Sequence, residues 1–340
     1  MKFDVVVGNP PYQESDGGSK ASAIPVYHYF VELGLKVAQQ TCLIMPSRWY
    51  VGGKGLNDFR DKMLHSPNMK ILIDFPNPVD VFPGTNIRGG VCVLLLDKQY
   101  DSDKLLTRVE TYEGGQVIAD TRRHLAAKGL SVFIRDNKAL EIISNVTDVS
   151  GTDSLADHIS PRKPFGLGGT FVHDKKFVKS ATGLFRPIKC YGKDSIGFME
   201  RSNVLAHSEW IDSWKVLTAR ANNIGTELND DNLNTIIAEP ESVCTETYIL
   251  LGADLELDEV SANNLAKYTK TRFVRYMHSL AKSSQDASRQ TYRYVPIQDF
   301  TNGSDIDWSG DVQSIDRCLF RKYNLTEENI ATIVAKIKPM

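Results

Sequence analysis

Apolar residues in the first hundred positions fall into short blocks with two spacings. Phe3-Asp4-Val5-Val6-Val7-Gly8 is β-branched and too short for a helix, which predicts a buried strand. From Ile24 to Gln39 the apolar positions Val26, Tyr29, Phe30, Leu33 and Val37 recur at helical spacing, and Thr41 to Met45 then reads as a buried strand. A helix over about Leu56 to Leu64, a strand over Ile71 to Phe75 and another over Gly90 to Leu96 continue the alternation. Strands alternating with helices predict an α/β fold with a parallel, doubly wound sheet.

Directly behind the first run stand Asn9, Pro10, Pro11 and Tyr12. A rigid polar-aromatic loop after a buried strand delivers groups to the carboxyl edge of an open α/β sheet. The Asn9 amide oxygen can accept a hydrogen bond from a substrate amino group, and the two prolines, lacking N–H groups, hold the neighbouring carbonyls with little freedom. Tyr12 adds a flat surface for an aromatic base, and such stacking is worth about 1–3 kcal/mol. The four residues therefore suit chemistry on a planar amine.

Phe3 to Tyr12 resembles motif IV of the amino-methyltransferases, and the Asn-Pro-Pro-Tyr form is typical of DNA adenine-N6 enzymes. Val81-Phe82-Pro83-Gly84 before the Gly90–Leu96 strand is similar to motif VIII of γ-class DNA adenine methyltransferases of restriction-modification systems, and Pro46-Ser47-Arg48-Trp49 resembles a loop of the same group. The resemblance implies a partial Rossmann-like methyltransferase sheet and S-adenosyl-L-methionine as methyl donor. It implies Asn9, Pro10, Pro11 and Tyr12 as catalytic residues, with Asn9 also touching the cofactor, and an adenine flipped between Tyr12 and Phe82. An enzyme acting on a duplex base must extrude it, and two aromatic walls compensate the lost stacking.

The cofactor end of such an enzyme needs a Gly-rich loop after one strand and an acid after the next, and motif IV normally follows both. Asn9 lies too near the start of this sequence for either, and Gly52-Gly53-Lys54-Gly55 matches neither a dinucleotide fingerprint nor a P-loop. The expectation is that most of the cofactor site is not in this chain. A second polypeptide, or the rest of a longer protein, is then expected to cover an open, apolar sheet edge at Val5-Val6-Val7.

At 340 residues and 41% hydrophobic content the chain can bury two cores. Ser150-Gly151-Thr152-Asp153-Ser154 marks a linker, dividing a catalytic portion, residues 1–150, from residues 151–340. The later segments at Ile159–Leu167, Trp214–Val216, Tyr294–Pro296 and Lys322–Thr326 resemble the α+β DNA target-recognition domains of the γ-class enzymes. The net charge of −2 conceals blocks: residues 161–222 hold 11 Lys/Arg against 5 Asp/Glu, 223–262 hold 10 acids and no cation, and 263–296 hold 7 cations against 1 acid. Basic blocks suit phosphate contacts. Arg162 and Lys163 are candidates in a Pro-flanked loop, with Arg162 the first candidate to read a base. Lys267, Lys270, Arg272 and Arg275 are candidates on a helix spanning Ala262 to Lys282.

The five cysteines are far apart, which fits reduced thiols in a cytoplasmic protein, and the seven histidines show no metal-ligand spacing. No apolar stretch is long enough for a membrane span. The expected function is site-specific N6 methylation of adenine in double-stranded DNA, with this chain inactive without the cofactor half. A catalytically inactive DNA-binding specificity fragment is the second reading. A protein-glutamine or RNA N-methyltransferase, which shares Asn-Pro-Pro-Tyr, ranks below both.

Overall fold

A computed structural model describes residues 3–14, 24–51, 55–85, 87, 89–127, 130–151, 153–225, 231–282 and 285–340. Gly52, Gly53 and Lys54 of the glycine cluster lie outside them, as does Thr152 of the expected linker. Two compact units are formed by Met1–Asn137 and Lys138–Met340. The division thus falls before residue 150, because Val149 and Ser150 close helix α4 of the second unit.

In the first unit the chain runs β1 (Phe3–Gly8), α1 (Tyr27–Val37), β2 (Ala38–Pro46), α2 (Asn57–Leu64), β3 (Met69–Phe75), β4 (Val91–Asp97), the single turn α3 (Ser102–Leu105), β5 (Thr107–Glu113) and β6 (Gln116–Arg123). One six-stranded sheet has the order β1-β2-β4-β3-β5-β6. The expected α/β class holds, but the sheet is mixed rather than parallel. β1 and β2, and β3 and β5, pair parallel, while β4 runs antiparallel to both β2 and β3, and β6 antiparallel to β5. A parallel neighbour needs a crossover, usually helical, and among the described residues the segment between β3 and β4 contains only a short 3-10 turn at Pro78–Asp80. Gly114 and Gly115, with φ of 57° and 76°, close the β5–β6 hairpin in the left-handed geometry that its twist demands.

The two faces of this sheet differ. On one, Leu43, Leu94 and Leu72 pair in register and join Met45, Leu96, Met69 and Val109 in a core with Val31 of α1 and Phe59 and Met63 of α2. The opposite face is the alternating set Val7-Cys42-Leu95-Ile71 and Ile44-Val93-Ile73, also in register, and its members are exposed or half-buried. At β1, which has no second neighbour among the described residues, Phe3, Val5 and Val7 are 49%, 47% and 74% exposed.

The second unit begins with α4 (Asn137–Ser150) and contains β7 (Pro187–Gly192), β8 (Ser195–Glu200), β9 (Lys215–Ala219), β10 (Ile236–Ala238), β11 (Ser242–Cys244) and β12 (Tyr248–Leu251). These form two three-stranded sheets, β10-β9-β12 and β11-β7-β8. Helices α5 (Glu259–Lys270), α6 (Arg272–Leu280), α7 (Val312–Lys322) and α8 (Glu327–Lys336) follow. The helix expected over Ala262 to Lys282 is therefore two, because Thr271 is extended, with φ −61° and ψ 149°, and caps α6 by accepting from the Val274 amide. All five cysteines are unbonded, and among the described residues no helix is long and apolar enough to cross a membrane.

Candidate active site and nucleic-acid interface

The carboxyl ends of β1, β2 and β3 and the amino end of β4 meet along one rim, because β4 is the reversed strand. Four loops emerge there. Asn9 to Tyr12 leaves β1, Ser47 to Tyr50 leaves β2, Pro76 to Gly84 leaves β3, and Gly89-Gly90 enters β4. Asn9 and Pro11 are exposed, Pro10 is buried and Tyr12 is half-buried against the core. The loop turns back on the approach to α1: the Val26 amide donates to the Tyr12 carbonyl at 3.2 Å and the Glu14 amide to the Ile24 carbonyl at 3.1 Å. Burial first, then the nearby Cys92 thiol, push the Tyr12 hydroxyl above its ordinary pKa, against the opposing pull of the Asn9 side chain.

Phe82 is half-buried in the loop after β3, its amide donating to the Pro78 carbonyl at 2.8 Å and its own carbonyl accepting from Thr85 Oγ1 at 2.8 Å. The Gly114 amide donates to Asp80 Oδ2 at 2.9 Å, fastening this loop to the β5–β6 hairpin. The sequence-derived candidates Asn9, Pro10, Pro11, Tyr12 and Phe82 thus stand on loops of one rim.

Beneath the rim lies a polar cluster that the sequence reading missed. Asp74 on β3 is buried beside Cys92 of β4, and Arg135 Nε approaches its Oδ2 at 2.9 Å. Burial raises the Asp74 carboxyl above the usual carboxylate range even though Arg135 opposes the shift. Arg135 also donates to Ser47 Oγ at 2.6 Å and to the Gly89 carbonyl, and its guanidinium sits 5.1 Å over the Tyr50 ring. Ser47 closes the tie, its hydroxyl donating to the Gly89 carbonyl at 2.7 Å and its amide to the Gly90 carbonyl at 3.1 Å. At Gly90, φ is 88° and a Cβ would collide with the Phe75 carbonyl, so a larger residue cannot enter β4 by this path. One arginine therefore joins β2, β3 and the entrance to β4. The available signal was an acid at the fourth place of Ile71-Leu72-Ile73-Asp74, since a carboxyl in a buried strand calls for a cation.

The six basic candidates of the second unit separate. Arg162 is exposed and its Nε lies 2.9 Å from Glu246 Oε2, while the other Glu246 oxygen accepts from the Gly169 amide at 3.2 Å. Lys163 is exposed with φ of 60°. Lys270 and Arg272 are half-buried, and Lys267 donates to the Trp308 carbonyl at 2.7 Å. Arg275 is buried, ion-paired to Asp231 at 2.6 Å and donating to the Lys338 carbonyl at 2.8 Å. The expectation that Arg275 grips a phosphate is corrected: its guanidinium is spent on holding α6 to its surroundings. Among the described residues no group of His, Cys, Asp and Glu is placed to hold a metal.

An Asn-Pro-Pro-Tyr loop at the carboxyl rim of an α/β sheet is the arrangement that the resemblance to amino-methyltransferases implies. Residues 1–82 match the family model for the Eco57I restriction-modification methylase, so the resemblance to restriction-modification adenine methyltransferases is borne out there. The chain is 27% identical over 169 residues to an uncharacterised adenine-specific methylase of Mycoplasma pneumoniae, a match covering 46% of this chain and 40% of the relative. Among solved structures, the type IIL restriction-modification enzyme MmeI in complex with DNA aligns at 9% identity and a TM-score of 0.46, covering 98% of this chain and 56% of that one. The type IIG restriction endonuclease BpuSI aligns at 10% identity and a TM-score of 0.33, covering 88% and 44%. The chain spans less than two thirds of the length of each of these relatives.

Proposed function

We propose that this chain is the target-binding and acceptor-side portion of a DNA adenine-N6 methyltransferase of a restriction-modification system, completed by a cofactor-binding portion outside it. The observation that carries the reading is the Asn9–Tyr12 loop at the sheet rim, within the stretch that matches the restriction-modification methylase model.

The residues present suit one side of a methyl transfer. Asn9 is exposed at the end of β1, and its amide oxygen accepts one hydrogen of an adenine N6 amine while the Pro10 carbonyl accepts the other. Two acceptors pull the amine toward tetrahedral geometry and free its lone pair for attack. Tyr12 and Phe82 flank the flipped base. S-adenosyl-L-methionine, when bound, supplies an electrophilic sulfonium methyl. Positioning and electrostatic alignment carry the rate, with no covalent enzyme intermediate. Among the described residues no Gly-rich strand-to-helix turn accompanies β1, so only the acceptor side fits the cofactor here. The β1 edge, unpaired among the described residues, and the apolar sheet face supply a natural seat for the remaining portion. Double-stranded DNA is the partner of the second unit, through Arg162 and Lys163 first.

A DNA-binding specificity fragment without chemistry is the second reading, favoured by the incomplete cofactor side. The test is transfer of tritiated methyl to duplex DNA by this chain together with a polypeptide carrying the cofactor half, with N6-methyladenine identified in the digest. Asn9→Ala is expected to lower turnover by at least about a thousandfold while leaving DNA affinity within twofold, as loss of a transition-state contact requires. Full turnover by Asn9→Ala would remove Asn9 from the reaction. No transfer by any combination, with DNA binding intact, would favour the second reading.

A further inference from the structure

Phe185 in the second unit is 90% exposed, the most exposed large apolar side chain described. It does not dangle. The Glu200 carboxylate takes the Phe185 amide at 2.6 Å and the Arg186 amide at 3.0 Å, one oxygen to each. The Leu184 amide closes a turn on the Ala181 carbonyl at 3.2 Å, and the Arg201 amide donates to the Arg186 carbonyl at 3.0 Å. Glu200 ends β8 opposite Pro187 of β7, so the ring is mounted on the rigid end of a strand pair. An isolated exposed apolar residue needs no special explanation, but a ring held out on a pinned turn is already ordered for a partner, which lowers the entropy lost when it is covered.

The surroundings identify what it meets. Lys175, Lys176, Lys179 and Arg186 are exposed in the same stretch, and among the described residues none of them forms a salt bridge. Val178 bridges Phe198 of β8, which fixes this segment along the strand that carries Glu200, and Lys179 Nζ donates to Ser195 Oγ at 2.6 Å. Exposed cations in the same stretch as a projecting aromatic ring match a polyanion whose interior is a stack of flat rings; Arg186 adjoins the ring in the chain, whereas the Lys179 ammonium lies on Ser195 at the other end of β8 from Glu200. A membrane surface would accept the charge, but one ring offers little apolar area to bury there.

Resting on the reading of this unit as DNA-binding, the geometry points to Phe185 as a wedge that enters the base stack of duplex DNA, with Arg186, Lys175 and Lys176 holding nearby phosphates. The ring takes its energy from stacking against a base, and the cations from counterion release.

The test uses the full chain, a fluorescein-labelled duplex of mixed sequence, and the same duplex with 2-aminopurine as a reporter of unstacking. Phe185→Ala is expected to bind about tenfold more weakly with an unchanged salt dependence, and to lose the rise in 2-aminopurine fluorescence; Phe185→Trp restores both. Replacing Lys175 and Lys176 together by alanine should instead flatten the dependence of log affinity on log salt by about 2. Binding that is steeply salt-dependent but indifferent to Phe185→Ala overturns the wedge and leaves the DNA reading standing. No binding to duplex at any salt overturns both. A change in sedimentation without a change in DNA affinity assigns the ring to contact between copies of the chain, and overturns the wedge.

Discussion

His278 on α6 shows how far a residue's neighbours decide its chemistry. The side chain is fully buried, the Tyr292 ring meets it edge-on at 4.0 Å, and among the described residues neither ring nitrogen has a hydrogen-bond partner. Burial first, and the Lys282 ammonium second, hold its pKa well below 6.5. The unfolded chain binds the proton more readily, so stability is fully present above pH 6.5 and falls as the pH drops below that value. Thermal unfolding is expected to move to lower temperature between pH 7.5 and pH 5.5, and His278→Phe should flatten that slope. An equal slope in the variant would assign the acid sensitivity elsewhere. Single charged residues were the least legible part of the sequence for the same reason. Arg275 looks like a phosphate ligand until Asp231, 44 positions away, is brought against it. Asp74 reads as an interruption in an apolar strand until Arg135 arrives from beyond β6. Asn9 differs because its exposure follows from adjacent residues, two prolines that end β1 at once.

Elements were legible where periodicity alone decides them. α1, α2, β2, β3 and β4 lie within a few residues of their expected spans, since one apolar face along a short segment specifies both type and place. Direction was not legible, because a short apolar strand reads the same in either sense. Hence the reversal of β4, on which the rim depends, emerged only from pairing. The break between α5 and α6 was also hidden, since Thr271 can sit inside a helix, and what turns it into a cap is the partner across α7. There the Asp316 carboxylate accepts from the Arg272 amide at 2.9 Å and the Phe273 amide at 3.0 Å, the first free donors of α6. Asp316→Ala should lower stability by about 1–3 kcal/mol, read as a lower urea midpoint with an unchanged slope, and Asp316→Asn should cost less. An unaltered midpoint in the alanine variant would show that water or Thr271 alone satisfies the helix start.

At the scale of the molecule, the first unit presents a sheet that is finished on one side. The face bearing Leu43, Leu94 and Leu72 is sealed by α1 and α2, whereas among the described residues that bearing Val7, Ile44, Val93 and Ile73 stays exposed or half-buried. An apolar face and edge of this kind pair readily with another chain. The chain alone is expected to associate with itself as its concentration rises, by sedimentation or light scattering, and Val7→Lys should suppress this while leaving the unfolding transition in place. If Val7→Lys self-associates as the parent does, the β1 edge is not the contact. On the proposed function, the same substitution should also prevent docking of a cofactor-binding portion, which links this measurement to that reading.

That bare rail has a consequence for the living cell. Any copy whose flank stays uncovered displays the cue by which chaperones and proteases sort nascent from finished protein. On the proposed function, the abundance of this chain is expected to follow the supply of whatever shields it, with surplus synthesis cleared rather than stored.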